Sequence, residues 1–146
     1  MRYFLFLLLF IPVLIFSCAG NRVQKLNVLP DRTWKLVELD GRTIEYSGER
    51  HPYAVFKTAD SRVYGSGGCN RYSGSFKVSG QKITISQLIS TKMACMEIDY
   101  ENVFLRTLES SDEFVISGDS LYLKNNGSIS ARFVISETDS SSQTTQ

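Results

Sequence analysis

The 146-residue sequence predicts a mainly β fold: an antiparallel, strongly curled, barrel-like sheet with one α-helix packed on it or plugging it. Three observations carry this. Short runs rich in β-branched and aromatic residues recur between Trp34 and Ile135, several of them alternating apolar with polar. Turn dipeptides separate them, Asp40-Gly41 and Asn126-Gly127 being the strongest hairpin signals. Only one stretch, residues 99–110, has apolar residues at helical spacing.

Taken in order, residues 34–39 form a strand that ends at Asp40-Gly41, and residues 43–46 its short return. A strand at 54–57 is followed, after a turn at Asp60-Ser61, by one at 62–65. Tyr72, Gly74, Phe76 and Val78 alternate with polar residues and share a face. Ser79-Gly80-Gln81 then turns the chain into a strand at 82–85. In the helix, Tyr100, Val103, Phe104, Thr107 and Leu108 make the apolar stripe, Asp99 is the candidate cap, and Glu97 and Glu101 suit its positive end. Strands at 114–116 and 121–123 meet at Gly118-Asp119. Asn126-Gly127 leads into residues 129–135, where Ile129, Ala131, Phe133 and Ile135 share a face.

Composition splits the chain. Residues 1–17 hold 14 of the 62 apolar residues and a single charge, Arg2. Residues 3–16 are a run too short to span a bilayer, which takes about 20 residues, and it has the flanks of a signal peptide. Leu14-Ile15-Phe16-Ser17-Cys18 resembles a bacterial lipobox, departing at the bulky Phe16. The small Ser17 admits the peptidase, and the Cys18 thiol is the candidate lipidation site that carries the diacylglyceryl group. The expected organisation is a lipoprotein signal peptide at 1–17, a tether at 18–29, a folded domain at 30–136 and a disordered polar tail at 137–146. Ala19 is not the aspartate of inner-membrane retention, so the expected location is the bacterial cell envelope, lipid-anchored in the outer membrane and facing the periplasm. After the leader, 15 basic and 15 acidic residues balance, so the basic surplus of a general nucleic-acid binder is missing.

The densest local signal is residues 65–76, Gly-Ser-Gly-Gly-Cys-Asn-Arg-Tyr-Ser-Gly-Ser-Phe. A phosphate loop would continue into Gly-Lys-Ser/Thr and a helix, whereas an alternating strand follows here. The glycines instead suit a bulge, a tight crossing or the close approach of another backbone. This block, with Trp34-Lys35-Leu36 before Asp40-Gly41, and with Ser90-Thr91-Lys92-Met93-Ala94-Cys95 followed by residues 101–108, resembles the META domain family, which includes the HslJ-like heat-shock lipoproteins. The resemblance covers about residues 32–134 with order and spacing intact, and departs at Met96, where the family commonly has proline. It implies a barrel-like antiparallel domain with one helix. It also implies envelope roles associated with heat shock and resistance to the antibiotic novobiocin, and no established catalysis.

The residues carry little chemistry of their own. Cys69 and Cys95 are an even pair in an oxidising compartment, hence a candidate disulfide, the alternative being two small thiols packed side by side. No Cys-x-x-Cys pair or nearby histidine suggests a metal or redox site, and His51, the only histidine, falls in a loop beside Pro52. No catalytic residue, cofactor or metal ligand is assigned. Asn70, Arg71, Tyr72 and Thr91 are the polar residues of the family blocks, serving either the fold or a partner surface, and Arg71 is the candidate to pair with an acid at the helix start. The expectation is a monomeric, non-enzymatic lipoprotein, held to the membrane through acylated Cys18, that supports envelope stress tolerance through an unidentified protein partner. The alternatives are a barrel that binds a small apolar ligand or drug, and a periplasmic enzyme inhibitor.

Overall fold

The computed structural model describes residues 29, 31–45, 50–95 and 100–136. The leader with Cys18, the tether to residue 28, residues 96–99 with the candidate cap Asp99, and the tail 137–146 lie outside them. Nine strands and one helix follow in order: β1 Thr33–Leu39, β2 Arg42–Thr43, β3 Tyr53–Lys57, β4 Arg62–Ser66, β5 Arg71–Ser79, β6 Lys82–Ser90, α1 Glu101–Ser110, β7 Glu113–Ser117, β8 Ser120–Asn125 and β9 Ser128–Ile135. All pairings are antiparallel, and the sheet closes into a ring because β1 pairs with β3 on one side and β9 on the other. The mainly antiparallel, curled sheet with one helix is thus the fold the sequence predicts. No described helix is long and apolar enough to cross a membrane.

The strongest turn dipeptides do what their chemistry requires. Asp40 and Gly41 have φ of 47° and 75°, and Asn126 and Gly127 have 50° and 80°, so both turns take the left-handed conformations that let two-residue hairpins follow the strand twist. The return strand β2 is only two residues long, shorter than the predicted 43–46, of which Tyr46 is not described. Strand β6 is longer than predicted. Gln87 adopts φ of 57°, and the β5–β6 register shifts between Ser73 and Ser75. This extra residue inverts the alternation, so Ile83 and Ile85 face the core while Ile89 pairs with Ser73 and stands 71% exposed. Val78, predicted to share the buried face of β5, is 39% exposed near the strand's end, and Ile129 is 51% exposed beyond a second bulge between β8 and β9.

The interior is filled by side chains from opposite walls. Trp34, Phe56, Phe104, Phe114 and Phe133 are fully buried together with Leu36, Leu108, Leu121 and Leu123. Helix α1 supplies Phe104, whose ring lies 5.8 Å from Tyr72 on β5 and 6.1 Å from Phe133 on β9, so the helix reaches across the ring between two walls. It is needed there. Strands β6 and β7 share one residue pair, Lys82 with Glu113, because β7 runs on past the β5–β6 turn. The remainder of β6 packs against α1 instead.

Tyr72 ties β5 across β4 to β3. Its hydroxyl donates to the Tyr53 carbonyl at 3.1 Å, a contact possible because Gly65 stands between them; a Cβ there would collide with the Tyr53 carbonyl. Burial, with a smaller contribution from the neighbouring Tyr53, pushes the Tyr72 phenol well above the ordinary tyrosine range. The unfolded chain therefore loses this proton first. Tyr72 costs nothing below about pH 10, and above it stability falls by about 1.4 kcal/mol per pH unit until the folded-state phenol ionises. In denaturant titrations from pH 8 to 11.5, Tyr72→Phe is expected to lack this component of the decline, so its stability deficit relative to the parent narrows as pH rises.

Candidate functional site

The glycine-rich segment between β4 and β5 places its backbone against the first turn of the helix. Glu101 Oε2 accepts hydrogen bonds from the Cys69 and Asn70 backbone N–H groups at 3.0 and 2.7 Å, and Oε1 accepts from Asn70 Nδ2 at 2.7 Å. Asn70 then turns its other side to the segment after β6. Its Oδ1 accepts from Thr91 Oγ1 at 2.8 Å and from the Met93 N–H at 2.7 Å, while Nδ2 also reaches the Met93 carbonyl at 3.3 Å. The Arg71 and Thr91 backbones continue the ladder, with Thr91 N–H donating to the Arg71 carbonyl at 3.0 Å. Gly67 is required by the carboxylate: a Cβ at that position would overlap the Glu101 side chain.

Three stretches are thus clasped by one neutral amide and one carboxylate. Cys69 and Cys95 close the same junction as a disulfide with a Cα–Cα distance of 6.1 Å, in the ordinary range for a bridge. Of the four polar residues in the family blocks, Asn70 and Tyr72 are buried and Thr91 is held by its hydroxyl. Arg71 is the exception. Glu101, the helix-start acid among the described residues, is bound by Asn70 and two backbone N–H groups and not by Arg71, which is exposed with no ion pair among the described residues; Glu97 and Asp99 lie outside them. The reason is parity, because Tyr72 faces the interior and its neighbour must face out. Every oxygen of Glu101 is occupied by donors, and the two sulfurs are bonded to each other, so the cluster is built to hold the fold. His51 is half-buried in the loop before β3. Among the described residues no three His, Cys, Asp or Glu side chains gather as a metal site.

Depressions open on the surface of the described residues. One of about 440 Å³ lies over the clasp itself, beside Lys92, Cys95 and Asn102. A depression of about 610 Å³ lies at one end of the ring, between the β1–β2 hairpin and the helix start, lined by Leu39, Arg42, Thr43, Ile44, Tyr100 and Val103 among others. A groove of about 490 Å³ lies on the outer wall, between Tyr53, Tyr64, Arg71 and Ile89. Of the groove, the sequence marks Arg71, Tyr72 and Thr91 as candidate fold or partner-surface residues but not Tyr53, Tyr64 or Ile89; of the end depression it marks nothing as a surface. The end depression depends on β1–β2 meeting the helix in space, and the groove depends on the bulge at Gln87.

Two substitutions separate the clasp from the surface. Asn70→Ala removes the amide between Glu101 and Met93 and is expected to cost about 2–4 kcal/mol in denaturant titration, whereas Arg71→Ala is expected to stay within about 0.5 kcal/mol. Asn70→Asp sets a second carboxylate against Glu101; its deficit relative to the parent is expected to be large at pH 7 and to shrink as pH falls toward about 4, because the facing carboxyls take up one proton at a higher pH than the unfolded chain does, and the protonated one can donate. For the bridge, the paired substitution Cys69→Ala with Cys95→Ala is expected to cost about 3–4 kcal/mol for a loop of this length. Thiol titration of the unreduced, unfolded chain should find no reactive thiol at either position.

Comparison with known proteins follows the same geometry. The META domain family profile matches residues 25–137. A protein from Burkholderia xenovorans, solved by NMR, superposes with a TM-score of 0.61 at 24% identity, over 75% of this chain and 84% of that one. A second NMR structure gives 0.59 at 22% identity, over 73% and 91%. A crystal structure of a DUF4847 family protein from Bacteroides vulgatus gives 0.54 at 18% identity, over 73% and 94%. These likenesses concern the fold. No curated protein matches the sequence. With the profile spanning the closed sheet, its helix and the Asn70–Glu101 clasp, the chain belongs to the META domain family.

Proposed function

We propose that this chain is a membrane-anchored META-domain lipoprotein of the bacterial envelope, non-enzymatic, that supports tolerance of heat or antibiotic stress by binding a protein partner. The carrying observation is the filled interior. Large side chains from opposite walls meet across the ring, so binding is assigned to the outside of the domain. The end depression suits a partner: it is concave, with Leu39, Ile44, Tyr100 and Val103 beside Arg42 and Glu45, a mix of apolar centre and charged edge found in protein contacts. The anchoring reading rests on the sequence, on the short leader and on Cys18 after Ser17. A second reading has one observation in its favour, since a volume of about 610 Å³ is also of small-molecule size.

Site-specific photo-crosslinking in living cells tests this. A photoreactive residue at exposed Thr43 is expected to give a discrete adduct of the same mass in replicate cultures. Arg42→Glu on the same rim is expected to reduce it several-fold, and a probe at Lys124 should not form it. Diffuse background adducts from Thr43, unchanged by Arg42→Glu, would overturn the partner reading. Stoichiometric binding of an apolar fluorescent dye to the purified domain, abolished by Arg42→Glu, would favour the small-ligand reading.

A further inference from the structure

Charge is distributed unevenly around the ring. From Ser61 to Cys95 the sequence holds five basic residues and no acidic one, while the other residues after Ser17 hold ten basic and fifteen acidic. These five, Arg62, Arg71, Lys77, Lys82 and Lys92, belong to β4–β6 and the segment that follows. Strand parity sends those of the strands outward. Along β5 the outward row is Arg71, Ser73, Ser75 and Lys77, opposite the inward Tyr72 and Phe76. Register sets Tyr64 and Ile89 on either side of Ser73, and Arg62 beside Ser75. Lys82 alone of the five has an ionic partner among the described residues, Glu113 at 3.8 Å. Tyr64 is 37% exposed and Ile89 71%, and Met93, next to Lys92, is 61% exposed. Among the described residues the acids at the border are engaged, Asp31 by Thr58 and by Lys57 at 3.5 Å, Glu101 by Asn70 and Glu113 by Lys82, which leaves Asp60 at the turn before β4.

We propose that the outward face of β4–β6 docks on an anionic phospholipid bilayer, with Arg62, Arg71, Lys77 and Lys92 over the headgroup phosphates and Tyr64 and Ile89 in the interface. Exposed cations interleaved with a tyrosine and an aliphatic side chain match both layers of such a surface. The groove between Tyr53, Tyr64, Arg71 and Ile89 has room for a headgroup beside a guanidinium, which pairs well with phosphate. The position of the chain's start agrees. Asp31 is fixed beside the end of β3, the strand next to β4, and Lys57 of β3 pairs with Arg62. Ten residues separate Cys18 from Leu29, a reach over eleven steps of at most about 40 Å. A tether anchored at Cys18 would therefore meet the domain at the border of this face, where weak docking becomes effectively intramolecular. The inference goes beyond partner binding at the end depression and does not need the acyl chain.

The test uses a chain beginning at residue 18 with Cys18→Ser, which retains every described pairing and carries no lipid. It is titrated by co-sedimentation with phosphatidylcholine vesicles and with vesicles containing about one-third phosphatidylglycerol. Binding is expected to the anionic vesicles only and to be lost between 0.05 and 0.5 M salt. Arg71→Gln and Lys77→Gln are each expected to weaken it about five-fold, and Ile89→Ser to weaken it at equal charge, whereas Arg106→Gln on the helix should not. Equal binding to both vesicle types, binding to neither, or anionic binding that the face variants leave unchanged would overturn the proposal. So would retention on immobilised polyglutamate without vesicle binding, which would assign the face to an acidic protein. The salt series on the parent chain decides the matter even if a variant fails to fold.

Discussion

The Glu101 carboxylate is held from three directions at once, by two backbone N–H groups of the glycine-rich bend and by the Asn70 amide. What makes this contact decisive is its position. The ring has a weak seam, where β6 and β7 share a single residue pair, and the helix spans that seam. A ten-residue helix has little stability alone. Packing of Phe104 and Leu108 holds its buried side, and the clasp fixes its first turn, where no side-chain cap bond is made. Asn70 then passes the constraint to Met93 and Thr91, and the Cys69–Cys95 bridge limits how far the glycine-rich bend and the segment after β6 can separate.

Much of this was legible in the sequence, and what was not has a common cause. Hairpins read well because Asp40-Gly41 and Asn126-Gly127 encode their turns locally. Strand β6 read only to Ile85 because alternation is a period-two signal and one extra residue at Gln87 inverts it. Closure of β1 on β9 left no local trace, as register between strands almost a chain length apart is set by the whole core. In the site, Cys69, Cys95, Asn70 and Thr91 stood out as members of recognisable blocks. Glu101 read only as a helix-start acid suited to the dipole. Gly67 was the available clue, because a carboxylate stem lying on backbone needs a missing Cβ. Arg71 read as a candidate partner for one of the helix-start acids; Glu101 is taken by Asn70, and the inward Tyr72 beside Arg71 already required it to face out.

The family blocks therefore mix two kinds of residue. Asn70, Tyr72, Gly65 and Gly67 serve the closed fold through contacts that a substitution would break from within. Arg71, flanked by Tyr64 and Ile89 from just outside the blocks, serves nothing inside and stands on the wall where every charged residue is basic. A filled ring of this kind presents distinct outer surfaces while its interior supplies only rigidity. The end depression and the basic wall draw on different elements, so one can be occupied while the other is also engaged.

Closure of the sheet by its first and last strands has a consequence for how the chain reaches this state. Glu38 and Arg132 meet across 94 residues, and Ser136 donates its N–H to the Thr33 carbonyl. The ring is thus completed by contacts between strands almost a domain length apart, which carry a large loop-closure entropy. A chain threaded N-terminus first through a pore cannot close it until residue 135 or so has emerged. Everything before that point stays an open, unfinished sheet, so the topology itself ties closure to the emergence of β9.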